Sequence, residues 1–164
     1  MVADRARSMS AIPHLLMIHG GHVGGRTFEL VDAVRAGVES YEDPLELRVL
    51  PALQAGLDDL LWCEGLLIGT PEHFGYMSGA VKDFFDRTFY PAQDRTEGLP
   101  YALFISAGND GTGTARAVDR IVTGYRWRAI CDPLIIVGAI DETARARCRE
   151  LGQTMAAGLS LGVF

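Results

Sequence analysis

The feature that most constrains this chain is a set of five short apolar runs, each followed by a stretch with helical spacing. Residues 14–18 (HLLMI) run straight into a glycine cluster, as a buried strand ending in a tight loop does. Residues 26–38 then set Thr27, Val31, Val34 and Val38 on one helical face. Leu45 to Leu50 alternates apolar and charged residues before Pro51, the pattern of a strand with one wet face. A short helix over 54–62 leads to a third strand over 64–69. A third helix from about Ser78 carries Met77, Val81, Phe84, Phe85 and Thr88 on its inner face. The fourth strand is expected over 101–106, with Ala115, Val118, Ile121, Val122 and Tyr125 striping the helix after it. Residues 133–137 make the fifth strand, and a last helix from about Glu142 sets Ala144, Cys148, Leu151, Met155 and Leu159 in register. Alternating strands and helices joined by right-handed crossovers predict an α/β fold, a three-layer doubly wound sandwich around a five-stranded parallel sheet. The half-exposed second strand suits an edge, which selects the order 2-1-3-4-5.

No linker or repeat interrupts the pattern, so residues 14–164 form one domain behind a loose lead-in, residues 1–13, which lacks the apolar core of a secretory signal. No run approaches the roughly 18 apolar residues of a membrane span, so no membrane partner is expected. A net charge of -6 repels phosphate backbones and argues against nucleic acid. Lys82 is the single lysine, which excludes P-loop chemistry and leaves one candidate for a Schiff base. Cys63, Cys131 and Cys148 are odd in number and show no zinc spacing. Buried reduced thiols in a cytoplasmic protein are expected.

Open parallel sheets bind ligands beyond the carboxyl ends of their strands, where the winding direction reverses, here between strands one and three. Three loops gather there. The first, residues 19–27 (HGGHVGGRT), enters helix one. His22, Gly24, Gly25, Arg26 and Thr27 make it a candidate phosphate cradle, with backbone N–H groups, a helix dipole and side-chain donors converging on an anion. It matches neither the P-loop nor the dinucleotide glycine pattern, and a plain strand-to-helix turn is the alternative.

The second loop, residues 69–79, reads GTPEHFGYMSG and is followed by Lys82, Phe84, Asp86 and Arg87. G-T-P-x-x-F-G-x-M-S-G with K-x-F-x-D-R resembles the signature of the flavodoxin-like quinone and FMN reductases, including the tryptophan-repressor-binding-protein type and the NADPH-dependent FMN reductases. The close match covers residues 69–88, and the order of elements extends it over about residues 14–160. The resemblance implies a flavodoxin-like fold with FMN as cofactor. Thr70, Pro71, Glu72, His73, Phe74 and Gly75 would run along the isoalloxazine. The third loop, with Ser106, Gly108 and Asn109, would flank the ring from the opposite side. Asn109 offers donors and acceptors to the pyrimidine edge, though Asn109-Asp110-Gly111 also suits a plain turn.

By this resemblance the expected activity is hydride transfer from NAD(P)H, as co-substrate, through FMN to a quinone or other small-molecule acceptor. No side chain is assigned as catalytic acid or base. The resemblance also implies a homo-oligomer, dimer or tetramer, and Tyr76, Phe89, Tyr90 and Trp127 are candidates for either its contact surface or the core. The first loop departs from the family, since His22 and Gly24 stand where hydroxyls are expected and Thr27 alone is retained. His22 and Arg26 are the available replacement donors. Two rival functions share the fold: a flavodoxin-type electron carrier, and a non-redox binding module. His19, His22 and His73 could meet near the cleft, but no carboxylate motif accompanies them, and no metal is expected.

Overall fold

The computed structural model describes residues 11–164, so most of the expected lead-in lies outside the described residues. The elements follow in the order β1 (His14–His19), α1 (Arg26–Glu39), β2 (Glu46–Pro51), α2 (Leu57–Trp62), β3 (Gly65–Pro71) and α3 (Gly79–Ala92). After these come β4 (Pro100–Ala107), α4 (Thr112–Tyr125), β5 (Arg128–Ala129), β6 (Leu134–Val137) and α5 (Glu142–Leu161). The sheet is parallel throughout, in the order β2-β1-β3-β4-β5, with β6 also pairing β4. This is the expected flavodoxin-like order.

Period-two alternation splits the core into two layers. Leu15 and Met17 of β1, Leu67 of β3 and Ala102 and Phe104 of β4 face α1 and α5, where they meet Val31, Val34, Cys148 and Met155. Leu16, Ile18, Leu66, Ile68, Leu103 and Ile105 point the other way, onto α2, α3 and α4, where they meet Leu60, Val81, Phe84, Phe85 and Val118. β2 has no fully buried residue, as its alternating sequence predicts for an edge. Its outer end is pinned instead by side chains. Arg48 stacks over Trp62 at 3.9 Å while donating to Asp59 Oδ1 at 2.8 Å, and His14 stacks on the same indole at 4.3 Å.

Three expectations need correction. The fifth strand forms where expected, as β6, but the other end of β4 is paired by a two-residue strand that was not expected, β5. Between them lies Pro133, which has no N–H to give to the ladder. α2 starts at Leu57 rather than 54, since Gln54 and Ala55 are held in a turn by the Pro51 carbonyl. Cys131 is exposed, unlike the buried Cys63 and Cys148. Of the candidate aromatic surface, Trp127 is core, with its indole N–H on Thr96 Oγ1 at 2.8 Å. Phe89 is partly buried, whereas Tyr76 and Tyr90 are exposed. Burial also pushes the Tyr125 phenol up to about 12, although Thr88 hydrogen-bonds it.

Candidate functional site

β1, β3 and β4 end side by side, so the three loops leaving them meet at one edge of the sheet. They enclose a cleft of about 350 Å³. One wall is the β1–α1 loop with Gly20, Gly21, His22, Gly25, Arg26 and Thr27. Pro71, Glu72 and His73 form the second wall, and Ser106, Ala107 and Gly108 the third.

The first loop is held by its backbone. Gly20 N donates to Gly69 O at 2.9 Å, and Gly25 N to His22 O at 2.9 Å. Gly20 and Gly21 are required by close approach. A Cβ at Gly20 would collide with Ser78 Oγ, and one at Gly21 would lie 3.0 Å from the Phe28 amide nitrogen. Gly25 is the N-cap of α1 and supplies no side-chain cap, so the helix presents open N–H groups to the cleft beside the buried Thr27 and the exposed Arg26. Arg26 makes no ion pair among the described residues.

The second loop closes as a two-residue turn. His73 and Tyr76 exchange both backbone hydrogen bonds, at 2.8 and 2.9 Å, and Phe74 (φ 53°) with Gly75 (φ 71°) occupies the left-handed centre. A left-handed phenylalanine is strained, and this one is fully exposed. The turn is braced from the side, because Gly75 O packs on Gly113 so closely that a Cβ there would collide with it. Beneath the loop, Thr70 Oγ1 accepts from Ser78 N at 3.0 Å and donates to Pro71 O at 2.9 Å.

Glu72 ties the second loop to the third. One carboxylate oxygen accepts from Asn109 N and the other from Gly111 N, both at 2.8 Å, and Glu72 N donates to Ser106 O at 2.8 Å. Asp110 accepts from the amide and hydroxyl of Thr112, and these hydrogen bonds hold its carboxyl below the usual carboxylate range.

Of the candidate residues, the cleft lining brings together His22, Gly25, Arg26, Thr27, Pro71, Glu72, His73, Ser106 and Gly108. Gly24, Thr70, Phe74, Gly75 and Asn109 lie outside it. Thr70 is fully buried under the loop, and Asn109 shows its backbone, not its amide, to Glu72. Sequence reasoning missed the bracing role of Glu72, for which a carboxylate directly after a strand gives no signal. It also missed that His19 is 4% exposed, edge-on to Phe28, with no hydrogen-bond partner at Nδ1 among the described residues. Among the described residues no group of three His, Cys, Asp or Glu side chains could hold a metal.

A glycine cradle at an uncapped helix N-terminus suits a phosphate, and a slot between two loops suits a planar ring, so the residues present fit FMN. Fold and cleft together define a flavodoxin-like nucleotide-binding domain. Residues 13–134 match the family model of the NADPH-dependent FMN reductases, and the chain belongs to that family. It is thus an oxidoreductase-family flavoprotein of the FMN-binding, flavodoxin-like kind. A curated flavodoxin from Aquifex aeolicus is 27% identical over 155 residues, spanning 85% of this chain and 83% of its own. Among solved structures, a flavodoxin from the domain Archaea superposes with a TM-score of 0.77 at 19% identity, covering 89% of this chain and 98% of that one. The flavodoxin, WrbA-like protein from Agrobacterium tumefaciens gives 0.72 at 16% identity, covering 92% and 99%. Among the described residues no helix is long and apolar enough to cross a membrane.

Proposed function

We propose that this protein is an FMN-dependent reductase that draws reducing equivalents from NAD(P)H and delivers them to a small quinone-like acceptor. The redox chemistry is that of FMN, which accepts two electrons from a nicotinamide and returns them to an acceptor. What the chain adds is binding and orientation. The observation that carries the reading is the charge of the cleft. Glu72 is the one carboxylate in its lining, and both of its oxygens are taken by backbone N–H groups. The remaining titratable side chains there are His22, Arg26 and His73. A cleft of that character attracts anionic nucleotides, whereas a protein-docking electron carrier works through an acidic face.

No side chain is positioned as an indispensable acid or base, and the exposed His73 imidazole makes no hydrogen bond to another side chain among the described residues. His73→Ala is expected to hold FMN and to keep turnover within about tenfold of the parent, below the usual loss for a general acid or base. Loss of turnover with FMN still bound would give His73 a chemical role. Steady-state rates with NADPH or NADH against a small quinone test the reading itself. Parallel double-reciprocal lines are expected, because donor and acceptor use one open cleft in turn.

A second reading, an electron carrier, is favoured by the flavodoxin relative from Aquifex aeolicus. The one-electron potentials of bound FMN separate the two, since a carrier needs them far apart. Self-association as a dimer or tetramer accords with the exposed Phe74 and Tyr90, and light scattering tests it.

A further inference from the structure

The two edges of the sheet are built differently. β2 reads ELRVLP, with Glu46 and Arg48 alternating along it and a proline at its end, features by which natural edges resist further pairing. β6 reads LIIV and carries neither a charge nor a proline. Among the described residues it pairs only with β4. Gly138 N donates to Ala107 O at 2.9 Å, so by the alternation of a strand the amides of Leu134 and Ile136 also face β4. The N–H and C=O groups of Ile135 and Val137 therefore point away from the sheet, and the Val137 side chain is 56% exposed.

Beside this edge lies a groove of about 400 Å³, lined by residues of the β5–β6 connection and of α5. Leu134 and Leu151 give it an apolar part, and Arg147, Asp132 and Glu150 give it charges of both signs. None of these three charged side chains forms an ion pair among the described residues, although Arg147 and Glu150 stand one turn apart on α5.

We propose that the β6 edge and this groove bind a second copy of the chain, strand against antiparallel strand, across a two-fold axis. A contact between identical surfaces has to be its own complement. A groove with both signs meets that condition, because the axis brings the guanidinium of one protomer towards the carboxylates of the other. A foreign strand of one sign would leave the other sign unmatched. Antiparallel pairing gives the outward groups of Ile135 and Val137 partners and joins the two sheets into one. The exposed rim charges select the partner more than they hold it. With four residues of strand a side the contact is small, and a dissociation constant of roughly 10–100 μM is expected. The inference is independent of the flavin reading and uses neither Phe74 nor Tyr90.

Sedimentation velocity of the full chain from about 1 μM to about 1 mM should show monomer giving way to dimer. Hydrogen exchange at the two ends of that range should show the Ile135 and Val137 amides slowed about threefold or more at the higher concentration. Val137→Lys places a charge on the edge and should raise the dissociation constant at least about tenfold. Arg147→Glu should also weaken the dimer, and adding Asp132→Arg and Glu150→Arg to it should restore affinity, with far-ultraviolet circular dichroism confirming each fold. Monomer throughout the range would overturn the proposal and leave the edge to a strand from a different protein. A dimer whose Ile135 and Val137 amides exchange as in the monomer, or one that Val137→Lys leaves intact, would overturn it by placing the contact elsewhere. A charge-swapped variant that binds no tighter than Arg147→Glu alone would overturn the pairing of charges across the axis.

Discussion

Single residues decide how the cleft is held open. Glu72 is the clearest case, because two backbone amides from the neighbouring loop converge on its oxygens. Glu72→Gln turns one acceptor into a donor facing a donor. The loss expected is about 1–2 kcal/mol of stability in urea unfolding, together with weaker FMN binding. His19 acts through burial, which lowers its pKa from the ordinary 6.5, with Arg35 adding to the shift and the Gly21 backbone and Asp32 opposing it. The folded protein thus refuses a proton that the unfolded chain accepts. His19's contribution is complete above about pH 6.5 and is lost as pH falls from there to the folded-state value. His19→Gln should flatten that part of the fall in urea midpoint between about pH 7.5 and about pH 5.5. An unchanged fall in the variant would assign the pH sensitivity to other groups. Neither role was legible beforehand. Sequence shows that a histidine follows HLLMI, but which side of the sheet buries it depends on where α1 packs.

At the scale of elements, the two helices on one face of the sheet touch through glycine. A Cβ at Gly37 of α1 would collide with Arg149 O, and one at Gly152 of α5 with Val34 O. Gly37→Ala adds the better helix former yet pushes α5 away. It should destabilise by about 2–3 kcal/mol, read as a lower urea midpoint with an unchanged slope. A neutral or stabilising result would show that the α1–α5 contact yields easily. The strand and helix order was legible because periodicity survives wherever one face is buried. Thr27, Val31, Val34 and Val38 are all buried on α1, and Val81, Phe84, Phe85 and Thr88 on α3. β5 was not legible, since Arg128 and Ala129 are both exposed and leave no apolar run. The Phe74 turn was half legible. Gly75 suits a turn, but the outward Phe74 ring follows from left-handed backbone at both central positions, which an aromatic residue does not advertise.

For the whole molecule, the net charge of -6 discourages acidic polymers, while the cleft mouth carries the Arg26 guanidinium beside the imidazoles of His22 and His73. The topology places that mouth where the winding reverses between β1 and β3, so the cleft's location was legible from element order alone. That both oxygens of the acid of the second loop would be taken by backbone amides required the fold. Protein that binds FMN at one end of such a cleft and leaves the ring approachable should let a nicotinamide reach it directly.

The measurement that tests this most directly is anaerobic mixing of the FMN-loaded protein with NADPH, and separately with NADH, while the flavin absorbance is followed. The account predicts bleaching much faster than for free FMN, with a rate that saturates in one or both nucleotides. Bound FMN that bleaches no faster than free FMN with either nucleotide would contradict it and favour the electron carrier.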